Sequence, residues 1–223
     1  MKLINLRNIV VLVPIALFIM TSSSYTQTSI YNPMLSAQEK QSIESGDIIM
    51  RELDTKQSKG QTIETIGLIM APGDSLVHLL TDYEAYPEFM SAVDDIEVVD
   101  TTGAESTINY ILKPMLGLTK KYRIKIAPVK LDEQVWKIEW YMVNWPGLTP
   151  LETIGDTQGY CLIIEQAENR SLVQYYVYSD PSPVPFGLRG IVDALGRDSI
   201  EDVFNETRVK AEGMMDNHEN PIK

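Results

Sequence analysis

The sequence predicts an α+β fold: a curved antiparallel sheet wrapped on one long C-terminal helix, with two short helices after the first long strand. Three observations predict it. Between Val93 and Asp180, apolar residues recur with a period of two over about six stretches, as in strands that turn one face to a core. After the proline-rich break at Asp180–Pro185 the spacing changes to three and four, with Leu188, Ile191, Val192, Leu195, Ile200, Val203, Phe204 and Thr207 in phase, as in a helix with one apolar stripe. Between the second strand and the meander, Leu76–Leu80 and Tyr83–Phe89 carry short helical patterns.

The elements follow in order. Lys2 and Arg7 precede an apolar run of 12 residues, Ile9–Met20, broken only by Pro14, and Thr21–Ser24 are small. This pattern reads as a secretory signal over residues 1–24. The run is short for a membrane span, which takes about 20 residues. Ser stands in the cleavage region where Ala is usual, so an uncleaved N-terminal anchor is the competing reading. Residues 25–46 form an extension with a short helix. Ser36-Ala37-Gln38-Glu39 has the capping-box spacing, and Gly46 can take the left-handed conformation that ends a helix near Ser45.

The main domain is expected over 47–213. Asp47–Leu53 and Gln61–Met70 read as strands around a polar turn at Lys56–Gly60. Pro72 suits the first turn of a helix with Leu76, Val77, Leu79 and Leu80 inward. A second short helix covers Tyr83–Phe89, broken by Pro87. In the meander the in-phase sets are Ile96 and Val98; Ile108, Tyr110 and Leu112; Tyr122, Ile124 and Ile126; Trp136, Ile138, Trp140 and Met142; Tyr160, Leu162 and Ile164; and Val173, Tyr175 and Val177. One sheet face is expected buried and the other largely wet. The prolines at 181, 183 and 185 stop the sheet. The final helix is expected from Phe186 to Gly213, with a bend near Gly196, and the tail 214–223 is expected to be flexible.

Composition narrows the function. Of 223 residues, 19 are Lys or Arg and 31 are Asp or Glu, a formal charge of -12. Such a surface repels phosphates, which argues against a nucleic-acid partner. With only Cys161, His78 and His218, no internal disulfide and no Cys/His zinc site can be built. Neither a Gly-x-Gly-x-x-Gly nor a phosphate-cradling loop is present, so no cofactor is expected. Gly-x-Ser-x-Gly is absent, and neither histidine has a visible nucleophile or carboxylate partner, so no catalytic residue is assigned.

Several segments match a known pattern. They are Ile69-Met70-Ala71-Pro72, Leu79-Leu80-Thr81-Asp82-Tyr83, and Tyr86-Pro87-Glu88-Phe89-Met90, followed later by Val173-Gln174-Tyr175 before Asp180-Pro181 and by Val184-Pro185 at a helix start. Together they resemble START-like (SRPBCC, helix-grip) proteins, nearest the polyketide cyclase/dehydrase and coenzyme Q-binding branch. The likeness runs over roughly residues 47 to 210. Ser91 departs from it, since many members have Pro there. The resemblance implies a helix-grip fold whose members mostly bind or carry hydrophobic molecules, some acting as cyclases.

A curved sheet and a single helix close imperfectly, and the gap is an expected apolar pocket. Its expected lining is Tyr110, Trp136, Trp140, Tyr160 and Tyr175 from the strands and Leu188, Ile191 and Leu195 from the helix. The competing reading is an aromatic core. Tyr86–Phe89 reads either as the pocket mouth or as aromatics docked on the sheet edge. Trp145 and Leu148 read either as an apolar gate or as a loop tucked onto the body. Lys121, Arg123 and Lys125 read either as a head-group contact or as a solvated strand face, the latter preferred. Cys161 reads as a buried small side chain. The leading expectation is an exported carrier, periplasmic or extracellular, that holds a hydrophobic small molecule or lipid and makes transient membrane contact. The alternative is a cyclase, dehydratase or hydrolase acting on an apolar substrate in the same pocket.

Overall fold

The computed structural model describes residues 31–55, 57, 59–115, 117–184 and 189–219, excepting the side chains of 189, 191, 195 and 216–219. The signal-like segment 1–24, Leu188 and residues 220–223 lie outside the described residues.

Helix α1 (Ala37–Glu44) opens the fold. Ser36 Oγ accepts from the Glu39 amide at 3.2 Å, while Glu39 Oε2 accepts from the Ser36 amide at 2.8 Å. Two amides without intrahelical partners are thereby satisfied. Gly46, at φ 95°, turns the chain away from the helix. Strands β1 (Ile49–Leu53) and β2 (Gln61–Ile69) follow, then α2 (Gly73–Thr81), a 3-10 turn at Tyr83–Ala85, and the short α3 (Tyr86–Phe89). The meander is β3 (Val93–Thr102), β4 (Glu105–Leu112), β5 (Lys121–Asp132), β6 (Val135–Val143), β7 (Asp156–Ala167) and β8 (Arg170–Asp180). Helix α4 (Arg189–Glu219) closes the chain.

All pairings are antiparallel, and the sheet order is β1-β2-β8-β7-β6-β5-β4-β3. The last strand therefore lies beside β2, and α2 and α3 fall between the two ends of the sheet. The larger core gathers α2, α3 and α4 on one sheet face, around Ile69, Leu76, Tyr86, Ile108, Ile163 and Phe204. Gly67 sets how closely α4 approaches β2: a Cβ there would stand 2.8 Å from Phe204 Cζ. Polar contacts fix the helix further along. Glu206 Oε2 accepts from the Ser91 amide and Glu212 Oε1 from the Met70 amide, both at 3.0 Å.

Two expectations are corrected here. The opposite sheet face is wet only in part: over β2, β7 and β8, Leu162, Ile164, Leu172 and Ile66 pack against Ile43, Tyr31 and Leu35, so the N-terminal extension covers it there, whereas over β3–β6 outward residues such as Glu97, Glu139 and Tyr141 are exposed as expected. Helix α4 runs unbroken through Gly196 and Gly213 to Glu219, and Met214 and Met215 pack on the core, so 214–219 is helix rather than loose tail. Continued burial outweighs the weak helix preference of glycine.

Candidate functional site

The concave sheet face and α4 enclose a cavity of about 540 Å³. The sheet lines it with Tyr110, Tyr122, Ile124, Ile138, Trp140 and Tyr175, with Cys161 between the last two, and α4 lines it with Val192, Ile200, Val203, Phe204 and Thr207. The period of two brings the sheet residues together: Tyr110 pairs with Tyr122 across β4 and β5, and Cys161 pairs with Tyr175 across β7 and β8. Met90 and Val93 close the corner between α3 and β3.

The aromatic wall is ordered. Tyr110 and Tyr122 stack with centroids 5.0 Å apart and planes within 6°. Tyr86 lies tilted on Tyr110 at 6.2 Å, and its hydroxyl donates to the Leu80 carbonyl at 2.7 Å. Trp140 stacks on Tyr175 at 5.3 Å. Burial raises the pKa of Tyr86, Tyr110, Tyr122 and Tyr175 well above the usual phenol value, and burial likewise pushes the Cys161 thiol up to about 12. Neutral forms are favoured because the surroundings solvate charge poorly. The wall therefore offers neutral hydrogen-bonding groups on an apolar surface, and Cys161 is a protonated thiol of low reactivity.

No protein-family model matches the sequence, and no curated protein matches it significantly. Solved structures do match its fold. A STAR-related lipid transfer protein fragment from Xanthomonas axonopodis superposes with a TM-score of 0.65 at 15% identity, covering 74% of this chain and 93% of that one. Human StAR-related lipid transfer protein 5 gives 0.64 at 9% identity, with 76% and 84% covered. The Zhui aromatase/cyclase from a Streptomyces species gives 0.56 at 12% identity, with 74% and 94% covered. The fold is START-like.

Within this START-like fold the expected site residues divide. Tyr110, Trp140 and Tyr175 line the cavity together. Trp136 shares their sheet face but sits beyond the cavity, where its Nε1 donates to Asp74 Oδ1 at 2.8 Å and Lys130 lies over its ring. Tyr160 is on the other face, stacked on Tyr176 at 5.1 Å and packed with the second core. Strand β7 is apolar on both faces, so its alternation does not reveal which side turns inward. Of the expected helix positions, Leu188 lies outside the described residues; Ile191 and Leu195 lie on α4, but their side chains are outside the described ones.

Of the lining residues that were not expected, Tyr122, Thr207 and Lys120 are the polar ones of most interest. Tyr122 shares the parity of Ile124 and Ile126, so the strand pattern carried its signal. Thr207 shares the stripe of Phe204. Lys120 belongs to the basic stretch Lys113–Lys130, but nothing local marks it as a rim residue. Its ammonium donates to the carbonyls of Thr153 at 2.7 Å, Leu151 at 3.0 Å and Pro183 at 3.2 Å, and so ties two distant loops at the rim. Desolvation lowers its pKa. The other competing readings also resolve. Tyr86 is buried and lines the cavity, whereas Phe89 packs on the core nearby. Trp145 lies under the Arg123 guanidinium at 5.4 Å, so this part of the loop is tucked onto the body. Arg123 is bonded to Asn109 and Lys125 to Glu105, which fits a paired outer strand face.

Proposed function

We propose that this protein is an exported START-like domain that binds a hydrophobic small molecule or lipid between its sheet and α4. The observation that carries the reading is the cavity of about 540 Å³, walled by aliphatic and aromatic side chains and large enough for a ligand of small-molecule size. The drive is removal of ligand apolar surface from water, worth about 25 cal/mol per Å². START-like lipid transfer proteins among the structural neighbours support this class of ligand. Exposed Met115, at the cavity rim, and exposed Leu151, in the loop that Lys120 binds, support transient contact with a membrane during loading. The basic, apolar and small segments within residues 1–24 support export.

Binding is preferred over catalysis for a physical reason. An aromatase/cyclase shares the fold, but the tyrosines of this cavity are held neutral by burial, with pKa values far above neutral pH. Proton transfer works best with groups that titrate near the working pH.

Organic extraction of the purified protein followed by mass spectrometry tests the reading directly. A second readout uses Cys161, the single thiol of the chain, which borders the cavity. An apolar maleimide should label it slowly, and bound ligand should slow labelling further. Absence of any extracted or bound apolar molecule, with labelling unaffected by candidate ligands, would refute the proposal. N-terminal sequencing of protein recovered outside the cytoplasm tests export, and a start within the first residues of the chain would point to an uncleaved anchor.

A further inference from the structure

The cavity interior differs in chemistry from its rim. Among the described residues, the charged side chains that border it are Lys113, Lys120, Asp193 and Asp202. Lys113 and Asp202 are exposed, Asp193 already has a partner, and Lys120 is committed to three carbonyls. None of them is a buried counter-charge free to meet an ionised ligand.

Deeper in the cavity, donors remain. The hydroxyls of Tyr122 and Tyr175 and the indole N–H of Trp140 have no hydrogen-bond partner among the described residues. They are not sealed off either: among the described residues, the buried partnerless side-chain atoms belong to Thr65, Arg170 and Arg208. The Tyr86 hydroxyl, by contrast, has spent its proton on the Leu80 carbonyl. Tyr122, Trp140 and Tyr175 line the same cavity, and Trp140 is stacked on Tyr175. An indole N–H only donates, so its complement is an acceptor.

We propose that the cavity selects an uncharged apolar molecule bearing an oxygen acceptor of the ketone type, held by the donors of Tyr122, Tyr175 and Trp140. A hydrocarbon of the same shape leaves these donors unpaired, and a carboxylate enters without a counter-charge; both are disfavoured. This selectivity rests on the apolar-ligand reading above and adds to it the polarity of the ligand.

Equilibrium dialysis with three matched probes tests it: 2-acetylnaphthalene, the near-isosteric hydrocarbon 2-isopropylnaphthalene, and 2-naphthoate. At pH 7 the ketone binds about three- to ten-fold tighter than the hydrocarbon, the increment of a neutral hydrogen bond, and the carboxylate binds weakest. Tyr122→Phe and Tyr175→Phe each weaken the ketone by about three-fold or more while leaving the hydrocarbon within about two-fold. The hydrocarbon arm also shows that each variant is folded. Equal binding of ketone and hydrocarbon, indifference of the ketone to both variants, or tightest binding by naphthoate would overturn the selectivity while leaving an apolar pocket standing. Failure of all three probes, the hydrocarbon included, would remove the pocket reading itself.

Discussion

Trp140 reaches across strand β7 to stack on Tyr175, with centroids 5.3 Å apart and planes 25° apart, and Gly159 on β7 leaves the space for its ring. A Cβ at Gly159 would stand 2.5 Å from Trp140 Cζ2 and 2.2 Å from the Tyr176 carbonyl oxygen. The second clash is with backbone, so a side-chain rotation does not relieve it. Gly159→Ala is expected to destabilise the fold by about 1–3 kcal/mol, the usual cost of overpacking, and to weaken binding of apolar probes by displacing Trp140. Urea unfolding and tryptophan emission together check this; an unchanged midpoint with unchanged emission would show that β7 absorbs the methyl group.

The two tryptophans of β6 should separate by function. Trp136 holds Asp74 at the start of α2 from outside the cavity, whereas Trp140 forms part of the cavity wall. Trp136→Phe loses one hydrogen bond and should cost about 1 kcal/mol of stability, with affinity for an apolar probe unchanged within about two-fold. Trp140→Phe should alter that affinity. The paired comparison is made by thermal unfolding and equilibrium dialysis, and equal effects of both variants on binding would contradict the placement of Trp136.

These contrasts show what a linear pattern conveys. The α1 cap was legible because Ser36 and Glu39 act within one turn, and the six-stranded antiparallel meander followed from alternation, whereas the pairing of β2 with β8 joins distant segments and had no local signal. Tyr110, Trp140 and Tyr175 were legible as inward residues for the same reason. Tyr160 was misplaced because alternation gives parity but not sidedness, and both parities of β7 are apolar. Its outer face is apolar because α1 and the segment before it cover that face, a long-range fact absent from the local pattern. The Lys120 clamp was illegible for a related reason: its partners lie 31, 33 and 63 residues away and are backbone carbonyls, which carry no residue-type signal.

Lys120 joins the loop between β6 and β7 to the segment before α4, at the rim of the cavity. Lys120→Met keeps much of the apolar stem but removes the donor to three carbonyls. Water can reach this rim, so the expected loss is about 1–2 kcal/mol rather than the full cost of orphaned groups. Amide hydrogen exchange should accelerate at residues 151–155 and at Ser182 and Val184, with β7 and β8 unchanged, and a bound apolar probe should dissociate faster. Uniform exchange across the whole sheet would indicate global destabilisation instead and count against a local clamp.

On the opposite face, Arg51 fastens the N-terminal extension to the sheet. Its guanidinium bonds Glu39 Oε1 at 2.6 Å, Glu64 Oε2 at 3.0 Å and the Met34 carbonyl at 3.2 Å, and Gln174 donates to the other oxygen of Glu64 at 2.6 Å. The Ser36 amide, then Arg51 and the Ser36 hydroxyl, hold the Glu39 carboxyl at a pKa of about 2, well below its ordinary 4.5. A carboxyl with a depressed folded-state pKa stabilises the fold fully above its unfolded value. That contribution shrinks as pH falls below about 4.5 and is gone near pH 2. Glu39→Gln removes the titrating charge but keeps an amide oxygen for the cap. The difference in melting temperature between the native chain and Glu39→Gln should therefore be constant from pH 7 to pH 5 and narrow progressively toward pH 2. Added salt should reduce the plateau, since the pair is partly open to solvent. A difference independent of pH across this window would show that Glu39 acts through packing and capping geometry rather than through its charge.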